Sequence, residues 1–374
     1  MIKEFVAKNE ELTLQTIREL CKIPAPSFME EKRAEYCKAW LEKVGATGVY
    51  IDEERNVIFP YHCENSKEIT VIAAHTDTVF PDTEPYPYKE DETRIYCPGV
   101  GDDTTSVAVL LSVVKYFLEN QISVEKGVLF VCNSCEEGLG NLVGTRYLME
   151  RYAGRIKQFV SLDSRIGVVH SIPVGSHRYN VEVKTQGGHS FSAFGNKSAI
   201  EALAQMIVEI HQIQVPQKPN SKTTFNVGII EGGTSVNTIA QSAKMLCEYR
   251  SDDRECLEYM RKEYERIFEN ARTDEVGVLV EKIGDRPCKG DVDEQAENEL
   301  LEACKKAIEI ATGKAAVDKL ASTDSNIPLA MGIPAVTVGV YDGKGEHTRE
   351  EFIEKAGVKT GLEIALGIAL AICK

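Results

Sequence analysis

Uninterrupted apolar runs alternate with helically spaced apolar residues through the first half of this chain. Thr70-Val71-Ile72-Ala73-Ala74 and Gly127-Val128-Leu129-Phe130-Val131 are nearly all apolar, the pattern of strands buried on both faces of a sheet. Gln158-Phe159-Val160-Ser161-Leu162 reads as a third interior strand. Residues 106–119 read as a buried helix and 141–151 as another. Upstream, Leu12, Ile17, Leu20, Tyr36, Trp40 and Leu41 recur at helical intervals over residues 10–43, broken at Pro24-Ala25-Pro26 where proline cannot continue a helix. Strand, helix, strand, helix, strand predicts an α/β fold: a mostly parallel sheet with flanking helices.

The pattern changes near Pro173. Residues 177–184 alternate, with Tyr179, Val181 and Val183 on one face, as a half-exposed strand does. A helix over 197–213, strands over 224–230 and 244–250, a helix over 254–272 and a strand over 276–282 follow. The order β-α-β-β-α-β predicts a ferredoxin-like α+β unit. After Pro287 the α/β pattern returns, with a helix over 297–312, the apolar strand Pro334-Ala335-Val336-Thr337-Val338 and a C-terminal helix. The expected organisation is one domain of residues 1–173 and 287–374, with a smaller domain, 174–286, inserted into it.

Composition adds exclusions. The chain of 374 residues carries a net charge of −15, which repels nucleic-acid backbones and anionic membrane surfaces. Acids stand near the N-terminus where a signal peptide would be apolar, and no apolar stretch is long enough to span a bilayer. The eleven cysteines show no framework spacing and read as reduced, buried residues. Cys132 and Cys135 form a C-x-x-C, but its place at a strand end favours structural thiols over a redox or zinc pair. A cytoplasmic location is the expectation.

The chemistry gathers where open α/β sheets place it, at the ends of the interior strands. The first strand ends in Ala74-His75-Thr76-Asp77, whose period of two puts His75 and Asp77 on one side, so that Asp77 can accept the imidazole proton. Gly99-Val100-Gly101-Asp102-Asp103-Thr104 precedes a helix, where Asp103 is placed to act as a cap. Ser134-Cys135-Glu136-Glu137-Gly138 follows a run too apolar to be exposed, and paired glutamates there are costly unless they bind metal or are protonated. Asp163 closes the next strand, and His347 comes late in Gly345-Glu346-His347-Thr348. Mixed imidazole and carboxylate ligands suit divalent ions, zinc above all.

The ordered series A-H-T-D, G-D-D, E-E-G-L-G, L-D-S, G-G-H-S, G-G-T-S-V-N and G-E-H-T resembles the co-catalytic zinc hydrolases, the family of peptidase T, carnosinase-type dipeptidases, aminoacylase and carboxypeptidase G. The resemblance runs from Ile23 to the C-terminal helix. It implies two zinc ions, with cobalt or manganese as substitutes, bridged by Asp102. His75 and Asp163 would complete one ion's ligands, Glu137 and His347 the other's. Glu136 would be the general base, and Asp77 would support His75. The family's Asp102–Asp103 peptide is typically cis. The inserted domain would be a lid that dimerises, with His189 reaching the partner's site to hold the scissile carbonyl oxygen. Asn237 and Arg250 resemble lid residues that contact the substrate or its carboxylate, though a turn asparagine and a salt-bridged strand arginine explain them equally well. Ser322-Thr323-Asp324-Ser325-Asn326 resembles a loop on the substrate side.

Two positions depart from the family pattern. Thr104 stands where lysine is usual, which puts a local charge interaction in question. Asp163 stands where the acylases and carboxypeptidases tend to carry glutamate; aspartate is nearer to peptidase T and the dipeptidases. The expected activity is therefore cleavage of short peptides as an aminopeptidase or dipeptidase, by a homodimer. The alternatives are an N-acyl amino acid deacylase or carboxypeptidase of the same family and, in another class, a non-catalytic metal-containing binding protein.

Overall fold

The three apolar runs become neighbouring strands. In this computed structural model, which describes residues 2–373, Ile69–His75 lies parallel between Gly127–Asn133 and Ile156–Leu162. The full sheet runs Tyr50–Ile51, Val57–Tyr61, Gly127–Asn133, Ile69–His75, Ile156–Leu162, Ala335–Val338, Val168–Pro173, Val317–Ala321. Ala335–Val338 is parallel to Ile156–Leu162, so four central strands point the same way. The outer strands add antiparallel pairs.

Helices cover both faces, which is why the central strands are continuously apolar. Ile72, Ala74, Val128, Phe130 and Val160 pack into a core with the helices Ile2–Leu20, Glu31–Lys43, Ser106–Glu119, Glu294–Thr312 and Lys355–Ile372. Val71, Ala73, Leu129, Val131 and Phe159 face the other way, against Leu148 and Met149 of the helix Val143–Arg151 and Ile327 and Leu329 of the short helix Asn326–Ala330. Phe117 is wholly buried in the first core; truncating such a residue to alanine costs about 3–5 kcal/mol. Gly361 shows how tightly the C-terminal helix sits: a Cβ there would lie 1.7 Å from the Val340 carbonyl oxygen.

The chain divides into two compact units, the first made of residues up to Pro173 with those from Gly290 onward, the second Val174–Lys289. The second unit has an antiparallel sheet ordered Thr223–Gly232, Ser242–Ser251, Gly175–Thr185, Val276–Arg286. Its helices, Ala199–Gln212 and Arg254–Asn270, bury Leu203, Met206, Met260 and Tyr264 against Tyr179, Val181, Val183, Met245 and Tyr249. Asp253 caps the second helix by accepting the Cys256 amide at 2.8 Å. This is the ferredoxin-like order.

Some elements differ from the hydrophobic pattern. The first helix begins at Ile2 rather than residue 10, because its inner face carries Asn9, Thr13 and Thr16. Their side chains bond the carbonyls of Phe5, Asn9 and Leu12, so polar residues are buried where a stripe would be apolar. Val317–Ala321 is an edge strand that buries little, so it shows no apolar run. A small sheet of Gly343–Lys344, Phe352–Glu354, Arg94–Tyr96 and Lys89–Glu90 is made of segments too short to show a period. No helix among the described residues is long and apolar enough to cross a membrane.

Candidate metal centre

Parallel strands bring their C-terminal ends to one edge of the sheet, and the polar clusters meet there. His75 ends its strand in register with Asn133, and the Thr76 amide bonds the Asn133 carbonyl at 2.7 Å. The Asp163 amide bonds the Val338 carbonyl at 3.0 Å. Asp102 comes from the turn just before the helix Ser106–Glu119, and its peptide bond to Asp103 is cis.

Asp102 lies between two imidazoles. His75 Nε2 is 3.0 Å from its Oδ1, and His347 Nε2 is 3.1 Å from its Oδ2. Each carboxylate oxygen therefore faces a different nitrogen, the arrangement a bridging ligand requires. His75, Asp102 and Asp163 offer ligand atoms within 4.8 Å of one another, and so do Asp102, Glu137 and His347. A third such set, His75, Glu136 and Glu137, overlaps both. Glu137 Oε1 is buried without a hydrogen bond, 3.4 Å from His347 Nε2. A buried acceptor with no donor, among two imidazoles and several carboxylates, fits a divalent cation with mixed N/O ligation. These residues could hold two ions sharing Asp102.

Asp77 is the hub of the surrounding bonds. Its carboxylate accepts the amides of Glu136 and Glu137, each at 2.9 Å, and the Ser27 hydroxyl at 2.6 Å. His75 Nδ1 lies 3.1 Å from the Asp77 carbonyl oxygen and 3.4 Å from its carboxylate. So the orientation of His75 rests more on the backbone of Asp77, while the acid itself fixes the loop of the paired glutamates. Asp103 does not cap the helix through one of its amides; its Oδ2 accepts the amide of His75 at 3.0 Å.

Burying these groups together sets their protonation. Burial works against ionising Asp102, but His347 and His75 outweigh it and hold its carboxyl below the usual range. The neighbouring carboxylates of Asp102, first, and Glu137 push His347 up to about 11 by favouring its charged ring. Burial alone would depress His75; the charge of Asp103 and bonds to Asp102 and Asp77 override it and raise it well above its ordinary value. Burial, then the charge of Asp102, lifts Asp163 to about 7 and raises Glu137. Asp103 is raised well above its ordinary value, chiefly by burial. Acids that resist ionising and imidazoles that retain protons are the signs of crowded negative charge, which a cation would relieve.

Further buried residues support this edge, among them Glu30 and Glu351, which the sequence did not single out. Glu30 is fully buried; its Oε1 accepts the amides of Phe28 and Cys135, each at 3.0 Å, and its Oε2 pairs with Arg55 at 3.0 Å. The Cys135 thiol donates to the same Oε1 at 3.2 Å, and every cysteine is buried and free, so the C-x-x-C is not a disulfide. The loop 322–326, expected on the substrate side, is largely turned inward. Its Asp324 is buried and accepts Asn133 Nδ2 at 2.7 Å and the Thr145 hydroxyl at 2.6 Å. Glu351, also buried, is pushed up to about 8 by burial, and bonds the turn before Asp102. Thr104 is wholly buried, a place where a lysine ammonium would need a partner.

The remaining candidates lie in the second unit. His189 is in a two-residue strand whose partner is Thr238–Ile239, and the Ser190 amide bonds the Asn237 carbonyl at 2.9 Å. His189 Nδ1 accepts the Phe191 amide at 3.2 Å, which leaves the ring proton on Nε2, free to donate. Asn237 Oδ1 accepts the Ser235 hydroxyl at 2.9 Å. Arg250 is paired with Glu248 through two bonds of 2.9 and 3.0 Å, and Glu248 also takes Arg178 at 3.2 Å.

Comparison with known proteins bears on this geometry. The profile of Peptidase family M20/M25/M40 matches residues 71–371. The chain is 26% identical over 367 residues to the protein YqjE of Bacillus subtilis strain 168, covering 92% of this chain and 93% of that one. It is 22% identical over 347 residues to the succinyl-diaminopimelate desuccinylase of Corynebacterium glutamicum, covering 89% of each. Among solved structures, a tripeptidase from Staphylococcus aureus superposes with a TM-score of 0.76 at 23% identity, covering 97% of this chain and 99% of that one.

Proposed function

Since the chain belongs to peptidase family M20/M25/M40, we propose that this metallopeptidase is a di-zinc hydrolase of short peptides, an aminopeptidase or dipeptidase, with Glu136 as its general base. The observation that supports this most is Asp102, whose two oxygens face His75 and His347 at 3.0 and 3.1 Å beside a buried Glu136. In this reading His75 and Asp163 would hold one ion with Asp102, and Glu137 and His347 would hold the other, Asp102 serving both. When bound, such ions polarise a scissile carbonyl and lower the pKa of an attacking water.

The chain's own groups do the rest. Glu136 takes the proton of the attacking water and passes it to the leaving amine. Asp77 holds the amides of Glu136 and Glu137, so the base and the adjacent ligand keep their spacing. His189, with its proton on Nε2, donates to the carbonyl oxygen as charge develops there. The inserted unit is the proposed lid and dimerisation element, with His189 acting across to the partner's site. Asn237 contacts the substrate, and Arg250 its carboxylate.

The second reading is a deacylase of N-acyl amino acids or a carboxypeptidase. It draws on the desuccinylase relative and on Arg178 and Arg250, which both bond Glu248 and place two guanidinium groups where a substrate carboxylate could be taken. A panel of free di- and tripeptides, N-acyl amino acids and C-terminal glutamyl substrates, each with a chelator control, separates the two. Chelator-sensitive release from free peptides supports the first reading, and release from N-acyl compounds alone replaces it with the second. Two bound metals with no turnover on any substrate would point to a binding protein.

A further inference from the structure

Glu351 follows His347 by four residues and lies among charged neighbours, Arg349-Glu350-Glu351, yet it is 1% exposed. Its Oε2 accepts the Gly99 amide at 2.6 Å, and its Oε1 accepts the amides of Gly101 at 2.8 Å and Asp102 at 2.9 Å. Its own carbonyl takes the Cys97 amide at 3.1 Å. Among the described residues no cationic side chain pairs with it. Converging backbone amides form a concave anion site, and here the anion is supplied by the chain itself.

The turn is built around that carboxylate. Gly99 has φ +74°, and a Cβ on Gly101 would lie 2.7 Å from Tyr341 Cε2 and 3.0 Å from Glu351 Oε1. Both positions therefore need glycine for the amides to converge. Hydrogen bonds from amides to a buried carboxylate are charge-assisted, so they fix the Asp102 backbone firmly.

The consequence is asymmetric. One acid ties the turn that carries Asp102 to the loop that carries His347. These are two of the three groups that could hold one of the two ions. The other ion would share Asp102, but its remaining candidates are anchored elsewhere, His75 through its amide on Asp103 and Asp163 through its amide on Val338.

We propose that Glu351 is a positioning residue for the ion held by Asp102, Glu137 and His347, setting the distance between the Asp102 turn and the His347 loop before any metal arrives. The inference rests on the two-ion reading given above. Loss of a supporting group of this kind typically costs about 10–100-fold in metal affinity, and here the loss falls on one ion of the pair. In Glu351→Gln the shape is kept, but an amide group replaces one acceptor opposite a backbone N–H.

The test is a zinc titration of metal-free protein against a chromophoric chelator, for the full-length wild type and Glu351→Gln, with circular dichroism and thermal melts alongside. Wild type should bind two zinc ions. The variant should bind the first within about threefold of wild type and the second about 10–100-fold more weakly. Its kcat should recover as free zinc is raised, with KM unchanged. Glu351→Asp, which keeps the charge but shortens the reach, serves the same comparison if the glutamine variant does not fold. Equal weakening of both ions, or a lower melting temperature with both affinities intact, would overturn the proposal and leave Glu351 a general stabiliser. Wild-type protein that binds fewer than two ions would overturn the two-ion reading itself, and this inference with it.

Discussion

The candidate residues of the two units stand in opposite physical situations. In the first unit, His75, Asp77, Asp103, Glu136 and Glu137 are buried within a few ångströms of one another, and backbone amides hold several of the acids. In the second, His189 is exposed on a short strand and Arg250 already has Glu248 as a partner. A buried set of like charges destabilises a fold unless something compensates it, so the first group demands an explanation in ions and chemistry. An exposed histidine and a paired arginine demand none. The contrast implies that substitutions in the first unit act on metal and turnover together or on turnover outright, while those in the second act on turnover or substrate binding with the metal content unchanged.

The largest effect should come from Asp102→Ala. With the bridging group gone, zinc content by atomic absorption should fall from two to one or none and turnover to background, with the circular dichroism retained. Two zinc ions in that variant would break the bridging assignment. Next is Glu136→Gln, expected to lower kcat by about 10²–10⁴-fold with zinc content unchanged. Retained turnover would remove Glu136 as the base.

His189→Ala tests the other side of the contrast. It should lower kcat by about 10²–10³-fold, the usual loss for one donor to a developing oxyanion, with both zinc ions bound. Unchanged kinetics would make His189 a surface residue. Arg250→Ala should be milder still, raising KM for substrates with a free carboxylate by about tenfold or more, as one charged hydrogen bond is lost. A substrate lacking the carboxylate should show no change, and a fall in kcat for both would point to a role in the second unit's own structure.

The smallest effect is on stability. Removing metal with a chelator should lower the melting temperature of the first unit, because an ion at 100 times its dissociation constant stabilises by about 2.7 kcal/mol. A melt of the second unit that shifted equally would show that the two units do not unfold independently.

What could be read in the sequence follows from where each residue sits. His75 ends a strand, Asp163 directly follows one, and Glu136 and Glu137 lie just past the end of another; each strand is apolar because it is covered on both faces, so an acid or imidazole there is conspicuous. Asp102 is conspicuous for the glycines before it, which the structure explains by the positive φ and nearby Thr78 at Gly99 and by the closeness of Tyr341 and Glu351 to Gly101. Glu351 and Glu30 were not legible. Glu30 stands in Met29-Glu30-Glu31-Lys32-Arg33 and Glu351 beside Arg349-Glu350, runs that read as solvated surface. Only tertiary contacts, such as the Cys135 amide on Glu30, reveal which acid of each run turns inward. The central strands were legible for the same reason as the candidate ligands at their ends. Val317–Ala321 and the small sheet of 89–96 and 343–354 were not, because exposed or very short strands carry no apolar period.

The most direct test of the two-ion account is a zinc-soaked crystal measured on both sides of the zinc absorption edge. Two anomalous peaks about 3.5–4 Å apart, one near His75 and Asp163 and one near Glu137 and His347, with Asp102 between them, are the predicted result. A single peak, or two that do not share Asp102, would contradict it.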